Sequence, residues 1–137
     1  DALPEGAALG YLDAEGLRTN VFHLPVRGSG DGGVCTTAAD VSRLWRSFVD
    51  GGIVAPASVG LMLTPRRRDP EAELDYGLGV WLHHDGVLEI HGYDAGVSFR
   101  SLHHHGTRTT ATVLCNTTDS AALVDDLLAG WVRSAPV

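Results

Sequence analysis

The most constraining feature of the sequence is a succession of short strand-like segments, between residues 76 and 116, that are separated by tight turns. The segments are 76–82, 87–91, 97–102 and 109–116. They are rich in β-branched and apolar residues, which favour strands. Asp85-Gly86 between the first two segments is a strong hairpin signal. Strands joined by turns this short pair antiparallel, so the sequence predicts an antiparallel sheet of three to four strands.

Helical patterns stand on both sides of this region. Thr37 is a suitable N-cap, Asp40 stands three residues later, and Gly51-Gly52 ends the pattern. Between them an apolar stripe repeats at helical spacing, formed by Val41, Leu44, Trp45 and Phe48. A short helix is predicted over 56–63 and a final one over 120–132. We expect the final helix to bury Leu123, Leu127, Leu128 and Trp131. A C-terminal helix packed on an antiparallel sheet is an α+β arrangement.

Three further segments receive local predictions. Residues 8–24 are expected to form a hairpin around the turn at 13–16, because two apolar runs flank an Asp-Ala-Glu-Gly sequence. The glycine-rich stretch 28–33 is expected to be a tight loop with positive φ at several positions. Residues 66–68 are three consecutive arginines, and we expect them in a solvated loop.

Composition limits the class of protein. The 137 residues fit a single domain, and we treat 1–137 as one unit. A net charge of −7 argues against binding to nucleic acid, and no apolar run is long enough to span a membrane. Cys35 and Cys115 do not make a disulfide framework, and we expect two buried free thiols. They weakly favour the cytoplasm.

Four sequence motifs, in this order, carry a family resemblance. They are the glycine-rich entry to the first helix (30–40), Tyr76-Gly77-Leu78-Gly79-Val80-Trp81, His91-Gly92-Tyr93-Asp94-Ala95-Gly96-Val97-Ser98, and Val113-Leu114-Cys115-Asn116. Together they resemble the C-terminal half of the serine β-lactamase (class C) and D-alanyl-D-alanine carboxypeptidase superfamily, which is penicillin-binding-protein-like. The resemblance covers about residues 10–128. It implies a partial β-lactamase/transpeptidase-like fold, and a small-molecule acyl substrate as the partner of an intact protein.

The resemblance also implies a chemistry. In such enzymes a serine forms an acyl-enzyme, and a lysine one helical turn later, in S-x-x-K, helps to activate it. A strand with the pattern H-x-G or K-T-G borders the cleft, and a backbone N–H just after its glycine stabilises the oxyanion. No cofactor and no metal are implied.

Three residues take candidate roles through this resemblance. His91 is the candidate for the H/K position and Tyr93 for the oxyanion N–H, both as catalytic residues. Gly92 is the candidate substrate-binding position, where bulk would block the substrate. A gapless alignment on Gly92 and Gly96 instead places Ile90 at the cationic position and His91 in the middle of the motif. Both alignments remain open at this point.

The nucleophile is not in this chain. S-x-x-K needs a lysine, and all ten basic residues are arginines. No tyrosine begins a Y-x-N motif either. We therefore expect a fragment that is inactive by itself and belongs to a serine hydrolase acting on a β-lactam, a D-Ala-D-Ala peptide or an ester. A parent protein that acts on cell wall would be exported. An uncovered sheet edge predicts that the fragment dimerises, swaps elements or packs against the missing N-terminal segment.

Two alternatives belong to other classes. A degenerate member of the superfamily would bind acyl or peptidoglycan-like ligands without turnover. A metal-binding module would use the histidines of the turns, which are His83, His84, His103, His104 and His105. Neighbouring histidines of a strand point to opposite faces, so few of these could converge on one ion.

Overall fold

A computed structural model describes residues 4–13, 15–25, 27–30 and 32–136. Its centre is an antiparallel sheet of six strands, in which spatial order follows chain order. The strands are β1 (Arg67–Asp69), β2 (Leu74–Tyr76), β3 (Trp81–Leu82), β4 (Val87–Asp94), β5 (Val97–His104) and β6 (Thr109–Cys115). Helices lie on both faces. The α+β class is confirmed, with more strands than the three to four expected.

The first two helices begin and end close to their predicted bounds, and the final one begins at Asp125 rather than at residue 120. The helices are α1 (Ala38–Val49), α2 (Pro56–Met62) and α3 (Asp125–Ser134), the last preceded by a 3-10 turn over Ala122–Val124. Thr37 caps α1, because its hydroxyl accepts a hydrogen bond from the amide of Asp40 at 3.1 Å. Gly51 ends α1 with a φ of +75°, a left-handed conformation that costs glycine little.

The region before β4 differs from its prediction. The arginine-rich segment is not a loop, since Arg67 and Arg68 lie in β1 and pair with Tyr76 and Asp75. The predicted strand 76–82 is interrupted, because residues 77–80 turn the chain between β2 and β3. Gly79 has a φ of +83° there, so the glycines that were expected to thin one strand instead divide it into two.

The core has one layer on each face of the sheet. On one face, α1 and α2 cover a cluster that includes Trp45, Phe48 and Leu88. On the other, α3 covers Val87, Leu102, Ala111 and Val132. Neighbouring residues Val87 and Leu88 therefore face opposite layers, as strand geometry requires. Leu44, which was expected in the apolar stripe of α1, is 45% exposed.

The predicted buried face of the final helix is wrong. Leu123, Leu127 and Trp131 are 83%, 72% and 58% exposed. The side chain that α3 buries fully is Val132, with Leu128 partly buried beside it. Leu127 and Trp131, four residues apart, share one side of α3, and that side faces away from the sheet, whereas Leu123 lies in the 3-10 turn. The predicted common face is therefore divided, because Leu128 packs toward the sheet and the others do not.

The N-terminal segment forms a reduced hairpin. Tyr11 and Thr19 form an isolated antiparallel bridge in place of two full strands, and Ala14 of the predicted turn lies outside the described residues. Asn20, which is 2% exposed, joins this segment to the β4–β5 turn. Its amide nitrogen donates to the carbonyl of Ala95 at 3.1 Å, and its amide oxygen accepts from the N–H of Gly10 at 3.0 Å.

Two smaller expectations fail. In the glycine-rich loop only Gly33 has a positive φ among the described residues; Asp31 lies outside them. Both cysteines are free, but Cys35 is exposed and Cys115 is half-buried, so neither is the buried thiol expected. Within the described ranges, no helix combines the length and apolar character needed to cross a bilayer.

The last strand has an open edge. Along its length β6 pairs with β5, and in the described part of the chain its other side carries only a parallel bridge between Tyr11 and Thr117, just past its end. An unpaired edge offers N–H and C=O groups to another strand. The expectation that a second copy or another segment covers it stays a prediction.

Candidate functional site

The outer edge of β4 is open over the candidate motif. β3 is only two residues long and pairs with Leu88 and Glu89. The amide of His83 donates to the carbonyl of Val87 at 2.9 Å, so Val87 directs its backbone groups toward the β3 side. In an antiparallel pair this direction alternates along the strand. The N–H groups of His91 and Tyr93 therefore point away from β5, beyond the end of β3.

The three candidate residues lie together at this edge. Tyr93 is 78% exposed, and its N–H lies on the side of β4 that β3 does not reach. Gly92 has a packing reason for its small size, since an added Cβ would come within 3.0 Å of the ring of Phe99. The need for a glycine here is therefore explained by contact with Phe99 of β5 as well as by any substrate.

The side chain of His91 lies on the α3 face of the sheet. Ile90 packs against the cluster beneath α1 and α2, and His91 as its neighbour points the other way. The two possible alignments of the motif thus place different chemistry on the two faces. On the α1 face, Ile90 presents an apolar side chain two residues before Gly92. The imidazole of His91 is available only on the α3 side or at the strand edge.

Glu89 is the centre of a polar cluster that none of the sequence motifs indicated. It is 2% exposed. One carboxylate oxygen contacts Nδ1 of His91 at 2.7 Å, and the other contacts Nε2 of His83 at 2.7 Å. Nε of Arg100 lies 3.3 Å from the first oxygen, and Arg100 also forms an ion pair with Asp125 in the first turn of α3.

The electrostatics of the cluster favour an ionised Glu89. Burial alone raises the pKa of this carboxyl group. The hydrogen bonds from His83 and His91, with the positive charge of Arg100, outweigh that effect and lower the pKa from 4.5 to about 2. Glu89 is therefore a carboxylate at neutral pH, and it accepts hydrogen bonds from both imidazoles.

The indole ring of Trp81 and a cleft lie next to His91. The indole of Trp81 stacks on its imidazole with an interplanar angle of 8° and a centroid separation of 5.8 Å. A cleft of about 700 Å³ opens between β1–β4 and α3, and its lining includes Trp81, Glu89, His91, Arg100 and Arg133. The imidazole side chain is 31% exposed, so a ligand could reach it.

The structure does not bring the turn histidines together. His103 is fully buried and stacks on Trp45 of α1, whereas His83 is bound to Glu89 on the opposite face. Nδ1 of His104 accepts from the amide of Thr107. No group of three His, Cys, Asp or Glu in the described ranges could hold a metal ion, so the metal-module hypothesis has no site there.

A single signal in the sequence could have identified Glu89. It is a charged residue inside the strand run Val-Leu-Glu-Ile-His and stands two positions before His91, so the two side chains share a face. Its contacts come from His83, just after β3, and from Arg100 of β5, and no local pattern predicts them.

The fold has a solved counterpart. The chain is similar to the crystal structure of a penicillin binding protein from Bacillus halodurans, with a TM-score of 0.84 and 31% sequence identity. The match covers 95% of this chain and 41% of that chain, so the chain spans about two fifths of that protein. No protein-family model matches the sequence, and no curated protein matches it.

This likeness supports a penicillin-binding-protein-like fold, and with it the fold that the motifs indicated. It also supports a penicillin-binding-protein or β-lactamase-like domain as the class of this chain. It does not assign the roles of His91, Gly92 and Tyr93, which rest on geometry and on the motif resemblance.

Proposed function

We propose that this chain forms the cleft-edge part of a serine acyl-transfer enzyme of the penicillin-binding-protein and β-lactamase type. The substrate class is a β-lactam, a D-Ala-D-Ala peptide or a small ester. The nucleophilic serine and its lysine come from sequence outside this chain, and the 137 residues alone are inactive.

The observation that carries the proposal is the open edge of β4 at the candidate motif. An acyl substrate can lie along an unpaired strand edge and exchange backbone hydrogen bonds with it. The N–H of Tyr93 points out of this edge and is not used by β3. It is suited to donate to an acyl oxygen as negative charge develops.

The other two residues then have specific tasks. Gly92 keeps β4 flat and free of bulk between the donors. His91, two residues before Tyr93 on the same edge, supports proton transfer through its imidazole. No cofactor takes part in this scheme.

The experiment is covalent labelling of the full-length gene product that contains this chain. The protein is incubated with a fluorescent penicillin, and in parallel with a fluorophosphonate probe, and its intact mass is measured. A mass increase at a serine outside residues 1–137 supports the proposal. A folded full-length product that gains no mass from either reagent contradicts it, as does an adduct on the 137-residue chain itself.

A pair of variants tests the oxyanion donor. Tyr93→Pro removes the backbone N–H at a strand edge, where proline is tolerated. It is expected to slow acylation about 100-fold or more, the effect of losing one oxyanion donor. The matched variant Tyr93→Ala keeps the N–H and should acylate within a few-fold of wild type. Equal rates for the two variants would show that the N–H of Tyr93 does not stabilise the oxyanion.

A second candidate function is a binding domain without turnover. Ile90 is packed in the core at one of the two candidate cationic positions, and the imidazole of His91 is engaged by Glu89. Both facts favour a modified motif. Such a protein would bind a D-Ala-D-Ala peptide in calorimetry with no covalent adduct and no product.

A further inference from the structure

Glu89 joins two imidazoles through one carboxylate, and hydrogen positions follow from this arrangement. A carboxylate offers only acceptors. Nδ1 of His91 and Nε2 of His83, each 2.7 Å from one of its oxygens, must therefore both carry a hydrogen. A neutral His91 is thus the Nδ1–H tautomer, with the lone pair of Nε2 free to accept a proton.

A second contact also fixes the tautomer of His83. Its Nδ1 lies 3.2 Å from a guanidinium nitrogen of Arg133. Arginine can only donate, so Nδ1 must accept and Nε2 must hold the hydrogen. Among the residues that the structure describes, His91 has no such second partner, and the carboxylate of Glu89 is the group that determines its tautomer.

The position of the carboxylate is also held firmly. Glu89 is 2% exposed, and Arg100 ties it to Asp125 on α3. Trp81 stacks on His91 from the β3 side, which restricts the plane of the imidazole. The cluster combines the buried carboxylate of Glu89, two oriented imidazole rings and the guanidinium of Arg100, which compensates the negative charge.

We infer that Glu89 is a positioning residue that presents His91 as a base on the α3 face of β4, with Nε2 unprotonated and directed away from the carboxylate. The use of that base in acyl transfer rests on the proposed function. The positioning itself is a property of this chain, and can be measured without a substrate.

The first measurement uses the wild-type full-length gene product without substrate. Long-range ¹H–¹⁵N spectra distinguish protonated from unprotonated ring nitrogens, so they report the tautomer of His91 at pH 8. The inference requires an Nδ1–H and a bare Nε2. A wild-type His91 in the Nε2–H form overturns it, whatever any variant does.

The second measurement uses Glu89→Gln. A glutamine amide has one acceptor and one donor end, so it cannot accept from both imidazoles. Arg133 holds His83 in place, so His91 is the ring that should change to the Nε2–H tautomer. The control is Asp126→Asn, which removes an exposed charge from the same cleft and has no hydrogen bond or ion pair to either histidine. An unchanged His91 tautomer in a folded Glu89→Gln chain overturns the inference.

Kinetics of the full-length gene product connect this to function. Loss of a correctly oriented base is expected to slow acylation by about 10²-fold in Glu89→Gln, with Asp126→Asn near wild type. If the wild-type product forms no adduct while the tautomer result holds, the acyl-transfer proposal fails and the positioning role of Glu89 stands. If adduct forms and Glu89→Gln changes the tautomer but not the rate, the role of His91 in acyl transfer is refuted.

Discussion

Acidification from pH 7.5 to 5 is expected to destabilise this chain through His103. The imidazole is fully buried and stacks on Trp45 at 5.4 Å, and its Nδ1 lies 2.8 Å from the hydroxyl of Thr110. Its Nε2 has no hydrogen-bond partner among the described residues. Burial, with the nearby positive charges of His105 and Arg108, lowers the pKa of His103 from 6.5 to about 4.

The sign follows from proton binding. Between pH 6.5 and 4 the unfolded chain protonates this histidine and the folded chain does not, so stability falls as pH falls. With a pKa of 6.5 unfolded and about 4 folded, the linkage relation gives a loss of about 2 kcal/mol between pH 7.5 and pH 5. The full loss, below pH 4, approaches about 3 kcal/mol.

The assay is urea unfolding at several pH values, with His103→Phe as the comparison. Phenylalanine keeps a ring against Trp45 and cannot titrate. The difference in unfolding free energy between wild type and variant should shift by about 2 kcal/mol in favour of the variant on going from pH 7.5 to 5. His23→Gln, which changes an exposed histidine that does not act on the pKa of His103, should follow wild type. Parallel pH curves for wild type and His103→Phe would refute the argument, and would mean that the indole face accommodates the imidazolium.

Two further predictions concern packing and a buried hydrogen bond. Gly96→Ala places a Cβ 3.0 Å from three atoms of the N-terminal segment at a φ of +74°, whereas Gly86→Ala, at +85°, meets nothing within 4 Å. Thermal unfolding should show a cost of about 1 kcal/mol for Gly86→Ala and clearly more for Gly96→Ala. Equal costs for the two variants would contradict the packing of that segment. Ser101→Ala removes the acceptor of the Trp45 indole N–H, a buried contact of 2.8 Å, and should cost about 1–3 kcal/mol in urea unfolding. The exposed control Ser47→Ala should stay within about 0.5 kcal/mol of wild type, and a Ser101→Ala chain as stable as this control would contradict the prediction.

Local signals were sufficient where a few neighbouring residues carry the structure. The first helix was predictable because Thr37 satisfies a free amide at its start, and Gly51 supplies the left-handed residue at its end. The β4–β5 and β5–β6 pairs were predictable as antiparallel because short connections join their strands, but β4 runs three residues beyond its predicted end at His91. These interactions span only a few residues and leave their pattern in the sequence.

Signals were insufficient where pairing partners are distant or short. β1 and β3 have three and two residues, too few to show alternation, and they are strands only because β2 and β4 offer them edges. In the same way, nothing in the final helix distinguishes an apolar row that meets the sheet from one that faces solvent. The side of the helix that packs on β5 and β6 depends on how the preceding turn orients the chain.

The sequence by itself determined the α+β class, the first helix and the strands of the central hairpins, with β4 predicted only as far as His91. Only the tertiary structure decided what His91 can do. Strand alternation places its imidazole on the α3 face, and the pairing of β3 and β5 with β4 brings Trp81 and Arg100 to it. A tautomer is set by contacts between strands, and such contacts have no fixed spacing along the chain.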